Sequence, residues 1–333
     1  MAERIGQKLK LLYLTEILRK KTDEEHPLNA TELCKCLAEY GITAERKAIY
    51  NDIENLIAFG YDIVKTRTPR SGFFMASREF ELPEIYLLTD AVQSANFITP
   101  KKTRELVSKL DKMLSENQTR AREQRVYFDS KHKCNNEEIY YNIDTIRQAI
   151  EQNKKIKLRY TRRELSDNRK IVSVSKEMTI SPYALIWQND HYYLVGNNAK
   201  YDNLLHLRID RMHSIKITDE KWRHFSEVCQ YKEFFNVSDY ADKSFNMYGG
   251  EVTEIELKCD KSKLEQIIDR FSRDIFICKV TDTTFNFSTK ALISDGLISW
   301  LLQSGNFVEV VSPLSLRQTV SDRIDMLRNT YNK

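Results

Sequence analysis

The chain has 333 residues, 41% of them hydrophobic and 30% charged, as expected of a soluble, core-forming protein. Its nine glycines and six prolines amount to about 4.5% against roughly 12% in ordinary usage. No G-x-G-x-x-G, G-x-x-x-x-G-K-[ST] or G-x-S-x-G run exists, which excludes the glycine-dependent dinucleotide folds, P-loops and nucleophile elbows. A net charge of only +4 makes the distribution of charge more informative than its sum.

Residues 4–21 place Ile5, Leu9, Leu12, Leu14, Ile17 and Leu18 at amphipathic-helix spacing and end in Arg19-Lys20-Lys21, a suitable helix C-terminus. A polar connector from Thr22 to Pro27 follows. Asn29, with Glu32 three residues on, predicts a capped second helix that stops at Tyr40-Gly41. Thr43 is the expected cap of a third helix, carrying Ile49, Ile53, Leu56 and Ile57 and ending at Phe59-Gly60.

Two short helices joined by Glu39 to Thr43 form a helix-turn-helix pattern. The N-terminal half of its second helix exposes Glu45, Arg46, Lys47, Tyr50 and Asn51, the half that enters a major groove in such readers. Arg and Asn reach base edges in bidentate fashion, whereas Lys and Tyr suit phosphate. Tyr61–Lys65 and Phe73–Met75 are expected as two short strands around a basic tip, a wing whose Arg67 and Arg70 meet the backbone or minor groove. Residues 1–80 nonetheless sum to only +1.

Residues 82–128 read as helical, with Ala91, Val92 and Ala95 following Thr89 and then a second amphipathic stretch at Leu106, Leu110, Met113 and Leu114. Residues 101–133 carry +5, which suits a solvated face or helices that flank DNA or join protomers. A further helix near Asn142–Gln152 leads into a strand at Lys155–Tyr160. Residues 154–176 hold nine Lys or Arg and two acids. More strands are expected at Lys176–Ile180, Tyr183–Trp187, His191–Val195, Leu204–Arg208 and Ser214–Ile217, with Asn189-Asp190 as a hairpin turn. Five or six short strands behind one helix suggest a small β-barrel.

The last part reads β-α-β-β-α-β, a ferredoxin-like order. Its strands lie near Thr253–Lys258, Ile275–Thr281, Thr284–Ser288 and Phe307–Ser312. Its helices lie near Lys261–Arg270 and Leu292–Ser304, with one more from Pro313 to Thr330. This part carries −1, so dimer contact or gating fits it better than a grip on DNA.

Ser181-Pro182-Tyr183, Trp187, His191-Tyr192-Tyr193-Leu194-Val195-Gly196 and Leu207-Arg208-Ile209-Asp210-Arg211-Met212, in that order, resemble the WYL domain. Tyr192 stands where the namesake Trp-Tyr-Leu begins, and Leu205 where an Arg usually opens the last motif. Leu28 to Leu33 and Arg46 to Glu54 are similar to the winged helix of WYL-domain regulators, with Asn51 where Arg is common. Glu254 to Leu257 and Trp300 to Pro313 resemble their C-terminal extension.

The resemblance implies a multidomain α+β, cytoplasmic, bacterial transcription regulator, usually a homodimer. Its expected parts are a winged helix at 1–80, a helical connector at 81–140, an Sm-like barrel sensor at 141–222, a linker at 223–250 and a ferredoxin-like extension at 251–333. Operator DNA is the implied partner. The implied effector is a nucleic acid, such as single-stranded DNA or an oligonucleotide, or a nucleotide. Candidate effector contacts are Ser181 and Tyr183, which share a strand face, Tyr192 as a stacking platform, Arg208 and Arg211 for phosphate, and Arg159 on the first strand. Tyr160 and Tyr193 compete between pocket and core, Trp187 suits packing, Arg208 also suits a salt bridge to Asp210, and His191 and His206 suit ordinary strand positions or nucleic-acid contact.

Two other readings stand beside the regulator. A nucleic-acid-processing enzyme needs a nucleophile, a general base or a carboxylate cluster, and the barrel motifs offer none. An accessory protein would use the helix-turn-helix as a protein interface. No cofactor or metal is expected, because the six cysteines make no C-x-x-C and Cys34 and Cys36 point to different helix faces. No signal segment or apolar membrane span is read in the sequence.

Overall fold

The computed structural model describes residues 2–123, 133–271 and 275–332, with side chains at 9–121, 133–271 and 275–332. The chain divides into two compact units, residues 1–135 and 136–333.

The first unit opens with helices α1 (Ala2–Lys21), α2 (Ala30–Glu39) and α3 (Arg46–Phe59), then strands β1 (Ile63–Thr66) and β2 (Gly72–Met75). Leu14, Ile17 and Leu18 of α1, Leu33 and Leu37 of α2, Ile49, Ile53 and Leu56 of α3, and Ile63, Phe73 and Met75 of the hairpin form one buried cluster. The Asn29 side chain accepts from Thr31 N and Glu32 N, and Glu32 accepts from Asn29 N, closing the expected capping box. Gly41 and Gly60 sit at the helix ends with φ of +73° and +118°, left-handed values that suit glycine. α3 departs from expectation at its start: it begins at Arg46, and Glu45 rather than Thr43 holds the cap position, without a side-chain cap bond. The turn runs longer because Ala44 packs on the buried cluster.

Three further helices follow, α4 (Leu82–Ser94), α5 (Pro100–Asp111, capped by Thr99) and α6 (Glu116–Glu123). Residues 124–128, expected to be helical, lie outside the described residues.

In the second unit, α7 (Ile139–Glu151) buries Ile139, Ile146 and Ala149 and precedes strands β3 (Lys154–Leu165), β4 (Ile171–Gln188), β5 (His191–Asn197), β6 (Leu205–Arg208) and β7 (Met212–Lys221). They form an antiparallel sheet in the order β6-β5-β4-β3-β7. β4 is one continuous strand where two were expected, and a register shift at Pro182–Ala184 absorbs the proline. Asn189 and Asp190 both take positive φ (50° and 58°) in the two-residue turn between β4 and β5, as a hairpin turn of this hand requires.

Residues 223–250 are themselves folded. They carry α8 (Val237–Lys243) and bury Phe225, Tyr240, Phe245 and Met247. Then come β8 (Glu251–Asp260), α9 (Leu264–Phe271), β9 (Phe276–Val280), β10 (Thr284–Ile293), α10 (Asp295–Gln303), β11 (Val308–Ser312) and α11 (Leu314–Tyr331). Their antiparallel sheet runs β11-β8-β10-β9, so the fourth strand lies beside the first and the third beside the second. Leu292 and Ile293, expected to begin a helix, end β10 instead. Ser294 caps the helix that comes next, because an apolar pair satisfies either period and the cap decides the boundary.

Close approach of β4 and β5 explains Gly196. A Cβ there would lie 2.6 Å from the Ser181 carbonyl oxygen. Gly196→Ala is expected to cost about 1–3 kcal/mol, read as a lower denaturant midpoint; unchanged stability would show that the two strands separate without cost.

Candidate functional site

The amphipathic period of α3 sends Ile49, Asp52, Ile53 and Leu56 inward. Arg46, Lys47, Tyr50 and Asn51 therefore share the solvent face, with Thr43 and Glu45 exposed just before it. Lys10 holds the buried Asp52 at 2.8 Å, so the helix is anchored by an ion pair as well as by its apolar stripe.

The hairpin docks onto the start of this face. The rings of Tyr50 and Phe73 meet edge to face at 5.6 Å, and the Lys65 ammonium lies 5.5 Å from the Tyr50 centroid and 5.9 Å from that of Phe73. Arg67 and Arg70 are exposed in the loop joining β1 to β2, and Arg70 reaches Glu32 at 3.3 Å. Lys65 and Phe73 thus orient Tyr50. Alternation along β1 places Lys65 opposite Phe73, but which helix residue they meet is a tertiary fact.

A second cluster lies on the five-stranded sheet. Tyr193 and Arg208 are directly paired across β5 and β6, and His191 shares their face, its ring 6.3 Å from that of Tyr193. Arg208 grips Asp210 with two bonds, from Nε at 3.0 Å and Nη2 at 2.7 Å, while its backbone N–H donates to the Tyr160 hydroxyl at 3.3 Å. Burial works against the Arg208 charge, and the bonds and charge of Asp210 more than offset it. Burial and the neighbouring Arg208 hold His191 below its ordinary range, and burial raises the Tyr193 phenol. Arg162 lies over the Tyr160 ring at 5.7 Å. Arg211 is exposed in the turn at Ile209–Arg211, and Arg159 is exposed on β3, where alternation sends it away from Tyr160. The result is a half-buried aromatic patch with several guanidinium groups, one of them already paired.

Other expected contacts lie elsewhere. Ser181 and Tyr183 are buried against the segment after β7. The Arg223 N–H donates to the Ser181 hydroxyl at 2.9 Å, and the Tyr183 hydroxyl donates to the Arg223 carbonyl at 2.7 Å. Trp222, Phe225 and Phe235 enclose the Tyr183 ring, and burial pushes its phenol well up. Tyr192 pairs with Trp187 across β4 and β5, so alternation puts both on the sheet face opposite Tyr193.

His206 Nε2 shares a 2.7 Å hydrogen bond with the Tyr240 hydroxyl, and the two rings stack at 5.7 Å. The ring borders a cavity of about 810 Å³ also lined by Cys229, Tyr231 and Val252. The sequence offered no signal for Tyr240 or Arg223, because both contacts join residues more than thirty positions apart.

Among the described residues, no group of three or more His, Cys, Asp or Glu side chains is placed to hold a metal ion. None of their helices is long and apolar enough to cross a membrane.

Residues 141–217 match the family model of the WYL domain. Over 298 residues the chain is 22% identical to an uncharacterized HTH-type transcriptional regulator, YobV, of Bacillus subtilis (strain 168), covering 86% of this chain and 89% of that protein. Two solved structures are also similar. Proteasome accessory factor B/C (PafBC) of Arthrobacter aurescens is 17% identical with a TM-score of 0.27, and the match covers 97% of this chain and 49% of PafBC, so the chain spans about half of that length. A CRISPR Cas-related protein is 14% identical with a TM-score of 0.35, covering 100% of this chain and 87% of the other.

Burial lowers the His206 pKa to about 4. Unfolded, this imidazole takes its proton near pH 6.5, so its neutral form stabilises the fold fully above that pH. The contribution is lost as pH falls through the window between 6.5 and about 4, on the order of 3 kcal/mol at most. His206→Gln should flatten the fall in denaturant midpoint across that window; an equally steep fall would show that His206 is protonated in the fold.

Proposed function

We propose that this WYL-domain chain is a DNA-binding transcriptional regulator, with a winged helix at its N-terminus, an Sm-like effector domain and a ferredoxin-like C-terminal domain. One observation carries the reading. The core of the first unit fixes α3 so that Arg46, Lys47, Tyr50 and Asn51 all face solvent beside a hairpin bearing Arg67 and Arg70. An α-helix so loaded suits the major groove, and the hairpin suits the adjacent backbone or minor groove. The match to a WYL domain and the likeness to an HTH-type regulator support the same reading.

The helix-then-five-strand order, with the last strand returning beside the first, supports the Sm-like assignment. The fourth-first-third-second order of the last sheet supports the ferredoxin-like one. The regulator works as a homodimer, its two helices reading half-sites related by a two-fold axis.

The effector is a nucleic acid or nucleotide. Arg208 and Arg211 supply guanidinium groups for phosphate beside the Tyr193 ring, Arg159 and, on the opposite sheet face, Tyr192 are further candidate contacts, and Ser181, Tyr183 and His206 shape the domain behind them. Such a ligand acts only by binding one conformation of the dimer more tightly than the other.

The test is a titration of the full chain with DNA from upstream of its own gene and with random duplex, at matched salt. Arg46→Ala with Lys47→Ala should weaken binding to the upstream DNA by roughly tenfold to a hundredfold and bring it close to binding of random duplex. Equal affinity of the wild type for both DNAs, or a variant that keeps the preference, would overturn the reading.

A further inference from the structure

Beyond Tyr160, β3 loses its second neighbour. Its pairing with β7 ends at Tyr160 and Met212, while its pairing with β4 runs on from Thr161 and Ser175 to Leu165 and Ile171. β4 meets β5 only from Ser181. Residues 161–175 are therefore a two-stranded ribbon, five residue pairs and a turn, standing about 17 Å beyond the sheet. The turn is closed by Ser166, which donates its N–H and hydroxyl to the Lys170 carbonyl, with Arg169 in the left-handed region at φ 58°.

The ribbon is apolar where a ribbon with no partner should be polar. Leu165 and Ile171 oppose each other as the last pair before the turn and are 74% and 75% exposed, and Val172 and Val174 are exposed on the other face. Around them stand Arg162, Arg163, Arg169 and Lys170, against the acids Glu164 and Asp167. Among the described residues, none of these four cations is in an ion pair.

We infer that this ribbon is an arm that binds duplex DNA, inserting the Leu165–Ile171 tip between base pairs from the minor groove and bending the helix. The inference rests on the DNA-binding reading above but concerns a different element. Apolar wedges flanked by Arg and Lys are how minor-groove proteins unstack a step and hold the bend, and the negative potential of that groove attracts Arg. A single-strand site would need aromatic platforms, and residues 161–175 contain no aromatic residue. The four cations of residues 161–175 outnumber the two acids, a balance that suits a polyanion.

The test compares the full chain on a random-sequence duplex of about 30 base pairs with the same duplex carrying a central mismatch, in which part of the unstacking is already done. The wild type should prefer the mismatched duplex by about tenfold or more. Leu165→Thr with Ile171→Thr, which keeps strand propensity, should abolish that preference. The Arg46→Ala, Lys47→Ala variant should retain it, so the arm and the recognition helix fail independently. The inference is overturned if the wild type binds both duplexes equally or if the ribbon variant keeps the preference. It is also overturned if the ribbon variant binds DNA as the wild type does but changes oligomeric state, for the arm then pairs with a second copy.

Discussion

The constraint on which the N-terminal unit depends is the rotation of α3. Ile49, Ile53 and Leu56 must face the cluster built from α1, α2 and the hairpin, and the 3.6-residue period leaves no choice about what faces away. The buried ion pair between Lys10 and Asp52 adds a second lock, because either charge left alone there would be costly. Arg46, Lys47, Tyr50 and Asn51 are presented to solvent as a consequence of packing, and the edge-to-face contact of Tyr50 with Phe73 ties the hairpin to the same face. A solvent face made this way is positioned by the core behind it.

In the second unit the same logic joins sheet to segment. Ser181 and Tyr183 lock both backbone polar groups of Arg223, while aromatic rings fill the space around them. That clamp orders residues 223–250 and brings Tyr240 over His206. Leu292 and Met247 then pack with Ala184, Ile186 and Val195 in one cluster. The motif residues that resemble a ligand site are therefore divided between two tasks. Ser181, Tyr183 and His206 hold the five-stranded sheet to residues 223–250, while Tyr193, Arg208, Arg211 and Arg159 remain at or near the surface.

Much of this was legible in the sequence where local chemistry decides. The Asn29–Glu32 capping box, Gly41, Gly60 and the Asn189-Asp190 turn each announce themselves within a few residues. Helical period alone identified the exposed face of α3. The start of α3 was not legible, because Thr43 is the favoured cap by chemistry, whereas the helix begins at Arg46 with Glu45 at the cap position and Ala44 packed inward. The length of β3 and β4 was hidden for a related reason. The turn at Ser166–Lys170 has no glycine or proline and uses Arg169 in a left-handed conformation, so a strand expected to end at Tyr160 runs to Leu165. Contacts such as Arg223 with Tyr183, or Arg270 lying 3.8 Å over the Phe245 ring, join residues far apart in the chain and have no local signature.

The central claim is that the solvent face of α3 meets DNA bases. The most direct measurement attaches a photo-crosslinker to a cysteine introduced at Asn51 of the full chain, with every native cysteine except the buried Cys259 replaced by serine, and maps its adducts on the upstream DNA of the gene. The same group at the exposed Asp90 of α4 serves as the control. Adducts from Asn51→Cys are expected on bases of the major groove, confined to short segments related by a two-fold axis. Adducts no more frequent or localised than those from Asp90→Cys would contradict it.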